Sequence, residues 1–280
     1  MNINWYPGHM VKTKKDIKNS LSLVDIVLEI IDARIPRSSR NPMLDEILKD
    51  KPRMIILNKT DLAEDNENDK WIDYFKKNST KAIKINSKEN INTKRIYNEA
   101  KSLLKEEFER RKRKKLDNKK IKMMIVGIPN SGKSTFINNI SNRKGTKIGN
   151  KPGVTKQKQW IKTNSDILLL DTPGILWPKF EDQLVARHLS YTYAIKDEIV
   201  NTEELAFNFI EEIMKLKPNA LKERYGIEIE DKKTIEIYDQ IAKRRGCFLK
   251  NKEIDYEKAS SIILNDFRNN KLGKVTLERV

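Results

Sequence analysis

The run Ile121-Lys122-Met123-Met124-Ile125-Val126-Gly127-Ile128-Pro129-Asn130-Ser131-Gly132-Lys133-Ser134 passes from apolar residues to a glycine loop, then to a helical pattern beginning near Ser134. An apolar run of that length reads as a buried strand. Glycines in the loop after it let backbone N–H groups turn inward around phosphate oxygens, and the helix start adds its partial positive charge. In that order Lys133 reaches the β- and γ-phosphates of a nucleotide, and the Ser134 hydroxyl ligates Mg2+. The candidate phosphate contacts are Asn130, Ser131, Gly132, Lys133, Ser134 and Thr135.

Downstream, Asp171-Thr172-Pro173-Gly174 closes a second apolar run, Ile167–Leu170, and Asp171 follows Ser134 by 37 residues. An acidic residue so placed holds Mg2+ through water, while the Gly174 amide faces the γ-phosphate. Between the two loops, Thr155 in Pro152-Gly153-Val154-Thr155 offers a second hydroxyl to the metal; the alternative is an ordinary turn threonine. Upstream, Asn58-Lys59-Thr60-Asp61 follows the apolar run Met54–Leu57. A carboxylate at Asp61 accepts parallel hydrogen bonds from guanine N1–H and its 2-amino group. Adenine has no such donor pair and would leave the carboxylate unsatisfied. The Lys59 stem lies along the base plane in this reading, and Asn58 ties its loop to the phosphate loop. In Ile85-Asn86-Ser87-Lys88, Asn86 and Ser87 are placed to offer a backbone N–H to guanine O6.

These loops sit at the ends of apolar runs at 25–32, 53–57, 82–85, 121–126 and 166–170, with a further strand expected at 157–163. Helical patterns over 10–21, 42–49, 71–77 and 92–110 separate them. Strands alternating with helices predict an α/β domain around a mostly parallel sheet. After Trp177-Pro178 the pattern becomes all-helical, over 180–199, 203–216, 219–225, 234–245 and 256–270. The expected boundaries are 1–178 for a nucleotide domain and 179–280 for an all-α domain.

The 280 residues carry 57 Lys+Arg against 40 Asp+Glu, a formal charge of +17. That surplus favours a polyanionic partner, with a lysine-rich surface and no partner as the alternative. The run Arg110–Lys115 reads either as a solvated helix end or as an RNA contact. No apolar stretch is long enough to span a membrane, and residues 1–9 lack an apolar signal core. The single cysteine, Cys247, rules out an internal disulfide. A cytoplasmic protein without a membrane partner is expected.

The boxes resemble those of translation-factor-class GTPases, in an unusual order: base-recognition loops (58–61, 86–88) precede phosphate loops (127–134, 155, 171–174). The chain thus resembles the circularly permuted GTPases, and Trp5-Tyr6-Pro7-Gly8-His9-Met10 with Asp32-Ala33-Arg34 narrows the resemblance to those of ribosome biogenesis. It implies a P-loop GTPase domain followed by a helical, rRNA-binding domain. It also implies GTP/GDP and the large ribosomal subunit with its rRNA as partners, and Mg2+ as cofactor. Relatives of this class commonly place a glutamine after the metal-side loop to orient the attacking water. Here Ile175 and Leu176 stand there, and the resemblance implies that His9 supplies the missing function; the alternative is a loop-bracing histidine. The catalytic set it implies is His9, Lys133, Thr155 and Gly174, with Ser134, Thr155 and Asp171 on the metal. Asn130 in the phosphate loop implies either coordination of K+ or no such duty. Arg34 reads as a local partner of Asp32, Arg40 as an RNA contact, and Lys222, Arg224, Lys243, Arg244 and Arg245 as rRNA readers. Two competing functions remain: an RNA-binding scaffold with GTP as a structural ligand, and a phosphotransferase acting on a small molecule.

Overall fold

The apolar segments pair into one six-stranded sheet: β1 (Ile26–Asp32), β2 (Arg53–Asn58), β3 (Lys81–Lys84), β4 (Ile121–Val126), β5 (Gln159–Lys162) and β6 (Ile167–Asp171). The computed structural model describes residues 3, 8–49, 51–89, 91–115, 120–141, 159–163, 166–177 and 180–280, with side chains of the first helix described from residue 12. Strand order is β3-β2-β1-β4-β6-β5, and every pairing is parallel except β5 with β6. The register sets Asp32 beside Asn58 and Ile125 beside Asp171, so the chemistry-bearing strand ends lie along one edge.

Around the sheet run α1 (Gly8–Ser20), α2 (Pro42–Leu48), α3 (Asp65–Lys77), α4 (Thr93–Leu103), α5 (Lys105–Arg113) and α6 (Lys133–Ser141). Alternation along β1 divides the core between two faces. Ile26, Leu28 and Ile30 pack with Ile96 of α4 and with Phe136 and Ile137 of α6. On the opposite face, Val27, Met124 and Leu170 join Ile17 of α1 and Leu44 of α2. The α2 start is encoded locally: Pro42 is its first residue and the Asn41 side chain accepts from the Met43 N–H at 3.0 Å. Such a cap contributes about 1 kcal/mol.

The C-terminal region consists of α7 (Gln183–Tyr191), α8 (Thr202–Leu216), α9 (Pro218–Tyr225), α10 (Thr234–Arg244) and α11 (Tyr256–Arg268). Its core, including Leu189, Phe209, Ile241 and Ile263, is continuous with the second sheet face. Among the described residues, no helix is long and apolar enough to cross a membrane.

Two expected helices are broken. The pattern over 92–110 divides at Leu104, whose backbone leaves the helical region (φ −103°, ψ 22°). The pattern over 180–199 ends at Tyr191, followed by the left-handed Tyr193 (φ 63°) and a single 3-10 turn, Asp197–Ile199. The cause lies far away in sequence. Arg268 donates to the terminal carbonyls of Ser190 and Tyr191, each at 2.9 Å, and pairs with both oxygens of Asp197 at 2.7 Å.

Residues 274–279 form a strap that returns to the sheet domain. The Val275 and Leu277 N–H groups donate to the Leu62 and Arg34 carbonyls. The Trp71 indole donates to the Glu278 carbonyl at 3.1 Å, and Arg279 pairs with Glu64 at 2.7 Å. The Glu278 carboxylate accepts from the Arg37 and Ser38 N–H groups at 2.5 and 3.0 Å. It also meets His188, whose other ring nitrogen contacts Glu212 at 2.6 Å.

Burial opposes an imidazolium at His188, but the bonds to Glu212 and Glu278 outweigh it and lift its pKa to about 9 from 6.5. Stability from this group is therefore complete below about pH 6.5 and lost as pH rises through about 9, of order 3 kcal/mol in all. The melting temperature should fall between pH 7 and 10, and His188→Gln should flatten that fall. Identical pH profiles for the two proteins would contradict the assignment.

Candidate nucleotide-binding site

Parallel sheets bind ligands beyond their carboxyl ends, where the chain reverses its direction across the sheet. Here the chain runs outward from β1 to β3 and then restarts on the other side of β1 with β4. The loop after β4 is Gly127–Gly132, ending on the first turn of α6. Lys133 is buried, and its ammonium donates to the Gly127 and Ile128 carbonyls at 3.1 and 2.7 Å. Burial pushes its pKa down to about 8, against the pull of the nearby Asp171. Ser134 and Thr135 are half-buried at the same helix start, and Ser131 is buried with its Oγ on the Ile128 carbonyl at 3.0 Å.

The β6 end is drawn onto this loop. Asp171 is fully buried at the strand terminus, the Thr172 hydroxyl donates to the Ile125 carbonyl at 2.6 Å, and the Ile175 N–H donates to the Gly127 carbonyl at 3.2 Å. Gly174 lies so close that a Cβ there would sit 2.9 Å from backbone atoms of Pro129 and 3.1 Å from Lys133 Nζ. Ile175 and Leu176 are fully buried in the core shared with the C-terminal helices, and Asn41 Nδ2 donates to the Ile175 carbonyl at 3.1 Å.

Asn58, at the end of β2, does what its position suggested. Its Nδ2 donates to the Ser131 carbonyl at 2.8 Å, and its Oδ1 accepts from the Ser87 N–H at 3.1 Å. Gly132 must be glycine for this latch: its φ is +94°, and a Cβ would fall 2.3 Å from Asn58 Nδ2. Lys59, left-handed at φ 61°, crosses to the phosphate loop and donates to the Asn130 carbonyl at 2.5 Å. Asp61 Oδ1 is buried without a hydrogen-bond donor among the described residues, while Oδ2 lies 3.6 Å from Lys88 Nζ. A buried acceptor in that state suits a ligand donor. The Thr60 carbonyl accepts from Asn68 at 3.3 Å, and Asn86 caps its own turn on Lys88 N at 3.1 Å.

Three contacts were not foreseen. Asp32 accepts from Lys59 at 2.8 Å, Asn139 of α6 donates to the Ser87 carbonyl at 3.3 Å, and Asn130 Nδ2 donates to the Tyr193 carbonyl at 2.7 Å. Asp32-Ala33-Arg34 was the only signal for the first; nothing in the spacing pointed to the others. Thr155 lies outside the described residues. His9 falls in the first turn of α1 with its side chain outside them. Among the described residues there is no cluster of three or more His, Cys, Asp or Glu able to hold a metal. The donors near the phosphate loop, Ser134 and Asp171, are hard oxygens of the kind Mg2+ takes, alongside nucleotide phosphates.

Some charged residues do other work than expected. Arg40, expected as an RNA contact, pairs with Asp45 at 2.9 Å and faces the buried Glu29 at 3.6 Å. Arg111, within the basic run, is buried against Glu107 and Asp25. Arg224 and Arg245 converge on Asp266, and Lys222 pairs with Glu230, leaving Lys243 and Arg244 exposed.

A mostly parallel sheet, a phosphate loop after its fourth strand and base-side loops ahead of it define a circularly permuted P-loop GTPase. Residues 122–251 match the family model described as 50S ribosome-binding GTPase. Ribosome biogenesis GTPase A of Bacillus cereus is 46% identical over 278 residues, covering 99% of this chain and 94% of that one. The Thermotoga maritima protein of that name is 31% identical, covering 99% and 94%. The crystal structure of GNP-bound YlqF from T. maritima superposes with TM-score 0.65 at 28% identity, covering 96% of this chain and 98% of that one. The chain belongs to the ribosome biogenesis GTPase A family, and its reaction is the hydrolysis of GTP.

Proposed function

We propose that this GTPase is a cytoplasmic assembly factor of the large ribosomal subunit, in which the bound nucleotide governs attachment to, and release from, the immature particle. The observation that carries the reading is the path of the chain after β6. Gly174 abuts the phosphate loop, and the next two residues enter the core shared with the C-terminal helices. Loss of the γ-phosphate would free the Gly174 amide and shift that junction. In this reading 1–178 is the nucleotide domain and 179–280 the rRNA-binding domain, where Lys243 and Arg244 are exposed.

The nucleotide is held by Asn58, Lys59, Thr60 and Asp61, by Asn86 and Ser87, and by Asn130 through Thr135. Ser134, Thr155 and Asp171 would hold Mg2+, which when bound would supply neutralisation of phosphate charge. Lys133 and the Gly174 amide stabilise charge developing on the γ-phosphate. His9 takes over orientation of the attacking water, since Ile175 and Leu176 are hydrocarbon and buried. Asn130 would hold K+.

Single-turnover GTP hydrolysis should be slow alone and at least about 10-fold faster with isolated large subunits. His9→Ala should remove that stimulation, and KCl should support faster turnover than NaCl. Turnover unchanged by subunits would favour the RNA-binding scaffold.

A further inference from the structure

The base-recognition lysine is not held by the phosphate loop alone. Asp32, at the end of β1, is 1% exposed and lies between two cations. One oxygen, Oδ2, accepts from Lys59 Nζ and from Arg34 Nη2, both at 2.8 Å; the other, Oδ1, accepts from Arg34 Nε at 3.0 Å and the Arg34 N–H at 3.1 Å. Burial opposes ionisation of Asp32, but Arg34 and then Lys59 outweigh it and hold the carboxyl well below the usual carboxylate range. The Asp32 charge is thus present throughout the working pH range, with its position fixed by four donors.

Arg34 carries the contact outward. It is 2% exposed, and its guanidinium lies 5.0 Å from the centre of the Phe267 ring on α11. Its carbonyl accepts from Leu277 of the strap at 2.8 Å. One continuous set of contacts therefore runs from the Asn130 carbonyl of the phosphate loop, through Lys59, Asp32 and Arg34, to the end of the last helix.

We propose that Asp32 is a positioning residue for guanine-nucleotide binding: it sets Lys59 across the phosphate loop, and Arg34 makes that setting depend on the seating of α11. The inference rests on the assignment of Lys59 to the nucleotide. It extends the link between nucleotide and helical region from the γ-phosphate end of the site to its base end. GDP engages Lys59 as GTP does, so the effect appears in both nucleotide states.

The test is titration of a fluorescent GDP analogue into the full chain, with thermal melting of each variant as a check on folding. Lys59→Met should weaken binding about 10- to 100-fold, the range for hydrogen bonds to charged groups. If it does not, the base-loop assignment itself fails. Asp32→Asn should weaken binding about 10-fold in the wild-type background, and have little effect in the Lys59→Met background. A full, additive loss in that background would overturn the positioning role. Asp32→Glu keeps the charge but displaces the carboxylate, so it covers the case in which Asp32→Asn fails to fold. It should raise KM for GTP several-fold with little change in kcat; an unchanged KM would count against the proposal. Phe267→Leu keeps an apolar side chain without the ring face, and should weaken GDP binding measurably. Unaltered GDP affinity in a folded Phe267→Leu protein would remove the link to α11.

Discussion

An Asp61→Asn protein is expected to lose about 10^3- to 10^4-fold in GTP affinity and to bind xanthosine triphosphate instead. The carboxylate has one oxygen buried without a donor among the described residues, and the other 3.6 Å from an exposed lysine. Guanine offers two parallel donors to such a group; an amide in its place presents one acceptor and one donor. The amide N–H then opposes the 2-amino group of guanine and matches the 2-oxo group of xanthine. Leaving a buried donor facing a donor costs more than the original bond contributed. Competition binding with the two triphosphates measures the exchange, and continued selective GTP binding would remove Asp61 from the base site.

Gly174→Ala should reduce single-turnover hydrolysis by about 10^2- to 10^3-fold, the range for losing one donor to developing charge. The obstacle is contact, since the new Cβ would meet backbone atoms of Pro129 at 2.9 Å and Lys133 Nζ at 3.1 Å. Backbone cannot swing aside as a side chain can, so the loop after β6 must retreat, carrying its amide from the γ-phosphate position. GDP has no γ-phosphate, and its affinity should change far less. Wild-type hydrolysis by Gly174→Ala would take this loop out of the catalytic set.

All six strands were legible: β1, β2, β4 and β6 as nearly continuous apolar runs, the signature of a strand covered on both faces, and the edge strands β3 and β5 as shorter runs beside turn residues. The loops at their ends were legible because phosphate and guanine recognition demand particular residue types at fixed spacing. What escaped depends on distant partners. No proline or glycine marks the breaks at Leu104 and Tyr193, and the second is capped by Arg268 from another helix. The pairing of Arg40 with Glu29 escaped because that buried carboxylate sits inside an apolar strand, where pattern alone predicts hydrocarbon. Asp32 was noticed as part of a short motif, but its bond to Lys59 joins residues 27 apart through adjacent strand ends. Asn130 illustrates the same limit: nothing in its place in the loop pointed to the bond its amide makes with a carbonyl beyond α7.

The strap gives the molecule an optical handle of its own. Trp71 is 1% exposed, its indole bonded to the Glu278 carbonyl and its face 5.8 Å from the Arg37 guanidinium. Peeling residues 274–279 away would hydrate that indole, and hydration shifts tryptophan emission to the red. Docking of the two halves can therefore be followed by native fluorescence, with no dye attached, once the other three tryptophans are replaced by phenylalanine.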